Sequence, residues 1–161
     1  MESLVLRDFV PGDWPDVRRI YAAGLASGVA SFETSVPSWG EWDAAHLDVL
    51  RSVAVADETI VGWAAVTSVS GRDCYRGVVE HSVYVDQAAR GRGIGRALLL
   101  RLIADAPTHG IWTIQTSIIA GNAVSLALHE AVGFRVVGRR ERIAQRDGIW
   151  HDTVLLERRL P

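Results

Sequence analysis

The run Arg90-Gly91-Arg92-Gly93-Ile94-Gly95 sets three glycines among arginines, with Arg96 next. A strand-like segment, residues 78–85, precedes it, and a largely apolar run, residues 96–103, follows. A strand, a glycine-rich turn and a helix start together make an anion-binding device. Glycine lets the backbone approach a ligand closely and take up positive φ. The first helix amides have no internal partners and lie at the positive end of the helix dipole. Such a turn holds a pyrophosphate without a metal. The spacing fits two familiar loops badly. A Walker loop needs Lys-Ser/Thr after its second glycine, but Gly95 is followed by Arg96-Ala97. A dinucleotide fingerprint is G-x-G-x-x-G after the first strand, whereas these glycines fall as G-x-G-x-G deep in the chain. An ordinary glycine-rich turn is the plain alternative, and the flanking arginines favour an anion site over it.

Arg90-x-x-Gly93-x-Gly95 resembles the acetyl-CoA signature of the GNAT N-acetyltransferases, Q/R-x-x-G-x-G/A. Other blocks agree in order and spacing. Glu80-His81-Ser82-Val83-Tyr84-Val85 comes before it. Gly121-Asn122-Ala123-Val124-Ser125, Leu128-His129-Glu130-Ala131-Val132-Gly133-Phe134 and Gly148-Ile149-Trp150-His151-Asp152 come after. With Phe32-Glu33-Thr34 they resemble the phosphinothricin and methionine sulfoximine acetyltransferase branch of that family, over residues 4–160. The resemblance implies transfer of acetyl from acetyl-CoA to the α-amino group of a small amino acid or analogue, in a ternary complex. Another amine, a peptide N-terminus or a non-catalytic acetyl-CoA-binding module are the alternatives, and the presence of both Glu80 and His129 argues against the last.

Acyl transfer to an amine needs a neutral amine, a donor for the carbonyl oxygen and a proton for the leaving thiolate. Glu80 is the candidate base. A carboxylate in an apolar central strand is costly to bury unless paired or protonated, so a structural ion pair is its other reading. Alternation places Glu80, Ser82 and Tyr84 on one face and His81, Val83 and Val85 on the other. The resemblance gives the matching glutamate the task of deprotonating the amine. It gives His129, four residues before Gly133, the task of protonating the thiolate; a satisfied helix-end histidine is the alternative. It implies that the amides of Gly91, Arg92, Gly93, Ile94, Gly95 and Arg96, with Arg90, hold the pyrophosphate. Val83, Tyr84 and Val85 would pair with pantetheine, and Asn122, near Ser125, would contact the same arm. Asn122 serves equally well as a helix cap. Phe32, Glu33, Arg72, Tyr75 and Arg76 are candidates for acceptor selection, since arginine forks match a carboxylate; each arginine alone reads equally as solvated charge. Trp150, His151 and Asp152 also match the family, Trp150 reading equally as core. Cys74 and Gly77 depart from the common pattern beside Tyr75. No metal is expected, as His151-Asp152 has no third ligand spaced with it.

These residues need a scaffold. Residues 4–10 alternate as a strand, and Pro11-Gly12 ends it, with Asp13 placed to cap a helix to about residue 27. A loop spans 28–37. Ser38 and Glu41 form a capping box for a helix to about residue 50. Residues 52–56 and 60–69 read as a hairpin, 78–85 as the central strand, 93–106 as the cofactor helix and 111–117 as another strand. A helix from Asn122 ends before Gly133, and 134–142 and 150–160 close the chain. The order β-α-α-β-β-β-α-β-α-β-β is a mixed α/β (α+β) fold, matching the GNAT architecture of a mostly antiparallel twisted sheet flanked by helices.

Composition bounds the rest. The 161 residues, 48% apolar and 22% charged, suit one globular domain spanning residues 1–161. A net charge of −2 disfavours a nucleic-acid partner. The single cysteine excludes an internal disulfide. The start, Met1-Glu2-Ser3-Leu4, has no signal-peptide pattern, and no apolar run reaches the ~20 residues of a membrane span, so a cytoplasmic location is expected. The resemblance suggests a homodimer, with the exposed last strands one route to pairing.

Overall fold

The computed structural model describes residues 3–161; Met1 and Glu2, the start of the terminus read above, lie outside them. Among the described residues, seven strands form one sheet in the order β1-β2-β3-β4-β5-β7-β6. They are β1 (Leu4–Asp8), β2 (Ser52–Ala56), β3 (Thr59–Ser68), β4 (Val78–Val85), β5 (Thr113–Ile119), β6 (Arg135–Arg146) and β7 (Ile149–Arg159). The helices are α1 (Trp14–Ala26), α2 (Trp39–Ala45), α3 (Ile94–Asp105) and α4 (Ala123–Ala131). All strand pairs are antiparallel except β4–β5.

Strand alternation divides the core. On one face Val17, Ile20, Trp42, Val53 and Trp63 pack against each other under α1 and α2. On the other, Val66, Val79, Leu99, Leu102, Ile114 and Leu156 form the larger cluster with α3, and Ala54, Ala64, Ile94 and Leu98 extend it. Strand β3 is covered on both sides, so seven successive residues from Ile60 are buried. The α1–α2 layer is rich in aromatics. Trp42 meets Trp14, Phe9 and Trp63 at ring-centroid distances of 5.4, 5.4 and 5.7 Å, and Trp63 stacks on Tyr84 at 5.1 Å.

The site depends on how β4 and β5 part company. Their parallel pairing runs only from Val78↔Thr113 to Glu80↔Gln115. β4 then follows β3 as far as Gly62↔Val85, while β5 follows β7 as far as Ile119↔Thr153. The sheet splits, and one backbone edge of β4 beyond Glu80 faces the gap.

Several boundaries differ from the sequence expectation for local reasons. Asp13 does not cap α1; both its oxygens take Arg7, at 2.8 and 2.9 Å, and one accepts the Val10 amide at 2.8 Å. The second helix stops at Ala45 rather than near residue 50, because Arg51 claims the carbonyls of Leu47, His46 and Asp43. The sixth strand runs on to Arg146, since Asp147 and Gly148 take φ of 53° and 76° and close a tight hairpin.

Candidate active site

The gap between β4 and β5 holds a cavity of about 310 Å³. Glu80, Ser82, Val83 and Tyr84 come to it from β4, Thr116 and Ser117 from β5, and Ser125 and His129 from α4. Ser31 and Phe32 close it from the loop between α1 and α2. Because the sheet is split here, groups from opposite faces of β4 reach one space. Glu80 comes from the α1 face, His81 and His129 from the α3–α4 face. Glu80 is half-buried, its backbone held by Thr67 in β3 and Gln115 in β5.

His81 and His129 are both buried, at 5% exposure each. Their Nε2 atoms lie 2.9 Å apart. His81 Nδ1 is 3.3 Å from the Gln115 carbonyl, and His129 Nδ1 donates to the Ser125 carbonyl at 2.6 Å, with Ser125 Oγ at 3.4 Å. The Phe134 ring packs on both, at 5.5 and 5.2 Å. Burial, reinforced by the facing His129 ring, pushes the His81 pKa down to about 3. Burial also lowers that of His129, opposed by the bond to Ser125.

At the far end of β4 the glycine turn has the conformation its sequence calls for. Gly91 and Gly93 both take φ of 77°, where side chains are strained. Gly93 is the N-cap of α3, and the helical ladder begins with Ala97 N–H donating to the Gly93 carbonyl at 3.0 Å. The amides of Ile94, Gly95 and Arg96 therefore precede the ladder and lie at its positive end. A side chain at Gly95 would come within 3.3 Å of Leu128. Arg90, Arg92 and Arg96 are exposed around the turn. This turn, continuous with a strand edge that leads to a cavity, fits an elongated ligand with a pyrophosphate at one end and a reacting group at the other.

Other predicted residues fall differently. The Asn122 carboxamide does two things at once: Oδ1 accepts from the Ser125 amide at 3.1 Å, capping α4, and Nδ2 donates to the Val29 carbonyl at 3.3 Å. Phe32 is in the cavity wall and meets the His151 ring at 5.3 Å. Glu33 lies beyond the wall on the same loop, which Arg146 fastens through the carbonyls of Gly28 and Ser31, at 3.0 Å each. Arg72, Tyr75 and Arg76 do not join the cavity wall. They are exposed on the turn before β4, Arg72 over the Tyr75 ring at 5.7 Å and Arg76 over Trp112 at 5.4 Å. Trp150 is surface rather than core, at 49% exposure under Arg142, and Asp152 is taken up by Arg139 and the Arg142 amide. The His81–His129 contact and the Arg146 clasp were not anticipated. Thr116 and Ser117 carried a readable signal, as part of the polar run Gln115-Thr116-Ser117 between Ile114 and Ile118.

The Acetyltransferase (GNAT) family model matches residues 14–134. The chain belongs to the GNAT acetyltransferase family. Its activity class is acyl transfer, and its split sheet is the GNAT fold. A phosphinothricin N-acetyltransferase of Alcaligenes faecalis is 38% identical over 163 residues, covering 97% of this chain and 81% of that one. An L-methionine sulfoximine/L-methionine sulfone acetyltransferase of Pseudomonas aeruginosa is 30% identical over 161 residues, covering 96% and 94%. Among solved structures, a GNAT phosphinothricin acetyltransferase from Sinorhizobium meliloti in complex with AcCoA superposes with a TM-score of 0.88 at 31% identity, covering 98% of this chain and 88% of that one.

Proposed function

We propose that this GNAT protein moves the acetyl group of acetyl-CoA to the α-amino group of a small amino acid or analogue, with phosphinothricin and methionine sulfoximine as leading acceptors. The observation that carries this reading is the split between β4 and β5 at Glu80, which brings a carboxylate and a histidine from opposite faces of the sheet into one cavity, at the end of a strand that leads to the glycine turn. Acetyl-CoA, when bound, supplies an acetyl thioester. Arg90 and the amides of Gly91 to Arg96 hold its pyrophosphate; the open edge at Val83 to Val85, with Ser125, holds its arm. Asn122 joins that contact by giving up its bond to Val29.

Glu80 takes the proton from the amine, directly or through one water. His129 supplies the proton that the departing thiolate needs. Phe32 and Glu33 shape the acceptor side. Arg72 and Arg76, with Tyr75 beneath Arg72, draw an anionic acceptor by charge rather than by contact within the cavity. Residues 1–161 act as one domain, since all seven described strands share a sheet. No described helix is long and apolar enough to cross a membrane, which suits a cytoplasmic enzyme. Two copies pair through the exposed β6–β7 surface, where Val136, Val137, Ile143 and Ile149 stand in solvent. Acetylation masks the amine of a toxic amino-acid analogue, so such an activity confers resistance to it.

The test is release of CoA thiol from acetyl-CoA with purified protein. L-phosphinothricin, L-methionine sulfoximine and a panel of amino acids, amines and peptides serve as acceptors. Selective turnover of the first two is expected; selective turnover of a peptide or polyamine would replace the acceptor class. Light scattering on a sizing column reads the dimer.

A further inference from the structure

The contacts of His81 and His129 set a proton count that neither ring meets alone. The two carbonyl contacts, Gln115 to His81 Nδ1 and Ser125 to His129 Nδ1, each need an N–H. The 2.9 Å contact between the two Nε2 atoms needs one more. Two neutral imidazoles bring two protons for these three positions, so a neutral pair leaves one contact facing lone pair to lone pair. The shortest contact, at Ser125, and the ring–ring contact take the two protons. The 3.3 Å approach of His81 Nδ1 to Gln115 is the one left without. A third proton completes the set: His81 Nδ1 donates to Gln115, His129 Nε2 donates to His81 Nε2, and His129 Nδ1 donates to Ser125. His129 is then an imidazolium whose charge is shared through a neutral His81.

We propose that His81 is a positioning residue for the acetyl transfer: by accepting from His129 Nε2 it lets His129 hold the second ring proton that is released toward the cavity. This rests on the reading of His129 as the proton donor given above. The balance is simple. As the thioester C–S bond breaks, the sulfur takes the Ser125 hydroxyl proton, and Ser125 Oγ, 3.4 Å from His129 Nδ1, takes the proton of that nitrogen. The pair falls from three ring protons to two, with the bare His129 Nδ1 now facing the Ser125 carbonyl, and this unfavourable contact draws the third proton back from solvent. The amine proton leaves separately through Glu80. Burial opposes the charged form of both rings, so an acceptor on His129 Nε2 is what makes that form attainable. The groups in contact with the rings are Ser125 from α4, Gln115 from β5 and the Phe134 ring. Among the described residues no carboxylate or guanidinium is a charged partner of either ring.

Three full-length variants test this: His81→Phe, which fills the space without an acceptor; His81→Gln, which restores one; and His129→Gln. Each is first checked for an unchanged melting temperature and acetyl-CoA affinity by calorimetry. His81→Phe is expected to lower kcat at least tenfold with KM for acetyl-CoA within twofold, His81→Gln to recover kcat to within threefold of the parent, and His81→Phe to add nothing in a His129→Gln background. Ring ¹⁵N spectra of the ligand-free protein give an independent reading. In the parent, both histidines should change protonation together at one pH with one proton taken up per pair. In His81→Phe, His129 should need a lower pH, and in His81→Gln it should return toward the parent. Equal losses in His81→Phe and His81→Gln, a loss confined to KM, a melting temperature or affinity changed in His81→Phe alone, or rings that titrate independently would each overturn the assignment. A His129→Gln enzyme with parental kcat would instead remove the donor role of His129 itself.

Discussion

Replacing Glu80 with Gln isolates the proposed base. The substitution keeps the side-chain size, and the backbone pairing to Thr67 and Gln115 holds the strand in place, so the fold and acetyl-CoA binding are expected to stay unchanged. Only the charge and the basic oxygen are lost. A positioned general base contributes about 10²–10⁴ in rate, which corresponds to about 3–5 kcal/mol of barrier. The pH dependence separates two ways of using the carboxylate. An α-amino group with a pKa of about 8 is neutral in roughly one molecule in ten at pH 7 and roughly nine in ten at pH 9. If Glu80 only strips the resting ammonium, the deficit shrinks about tenfold over that range. If Glu80 takes the proton from the attacking nitrogen, the deficit persists. The assay is kcat/KM for the acceptor by CoA-thiol release from pH 6 to 9.5, at saturating acetyl-CoA. A variant within threefold of the parent at pH 7 would refute the base assignment.

Gly77→Ala should destabilise without touching the cavity. A Cβ there would sit 2.1 Å from Trp112 Cε3, overpacking of about 1–3 kcal/mol that thermal melts should read as a drop of roughly 2–12 °C. Asp13→Asn should lower the melting temperature by an amount that depends on pH. Arg7 holds the Asp13 carboxyl below its ordinary value, so its contribution is present above the unfolded carboxylate pKa near ~4 and is lost as pH falls through the lower folded value; the gap between parent and variant should be constant from pH 5 to 8 and close in more acid buffer. Arg146→Ala should release the 28–37 loop from its two carbonyl contacts, raising the acceptor KM several-fold while the acetyl-CoA KM stays the same, as read by steady-state kinetics.

What was legible in the sequence was what local chemistry decides. Ser38 and Glu41 form the expected reciprocal cap, Gly93 starts the cofactor helix in a left-handed conformation, and the fourth strand runs from Val78 to Val85 as its β-branched pattern implies. Both faces assigned to that strand by alternation are found. Features set by side-chain contacts between elements, near or distant in sequence, were not legible. Asp13 looks like a helix cap, but Arg7, in the neighbouring strand, takes it. The fifth strand starts two residues later than its apolar pattern suggests, because the Trp112 and Thr113 amides are bound to the Gly77 carbonyl at 2.8 and 3.2 Å, which sets where β5 begins beside β4. The meeting of His81 and His129 joins residues 48 apart, and nothing in either segment signals the other. Asn122 was readable as a cap or as a ligand contact; that its amide nitrogen also fastens a loop 93 residues away was not.

The aromatic layer beneath α1 and α2 makes the protein its own optical reporter. Trp14, Trp39, Trp42 and Trp63 lie in a chain of neighbouring rings, close enough for excitation absorbed by one indole to pass to the next. The chain ends on Tyr84, stacked on Trp63 and standing in the cavity wall. These four indoles are thus linked to a ring of the cavity wall, and a change in ultraviolet fluorescence is expected to follow occupancy of the cleft without a dye or a label.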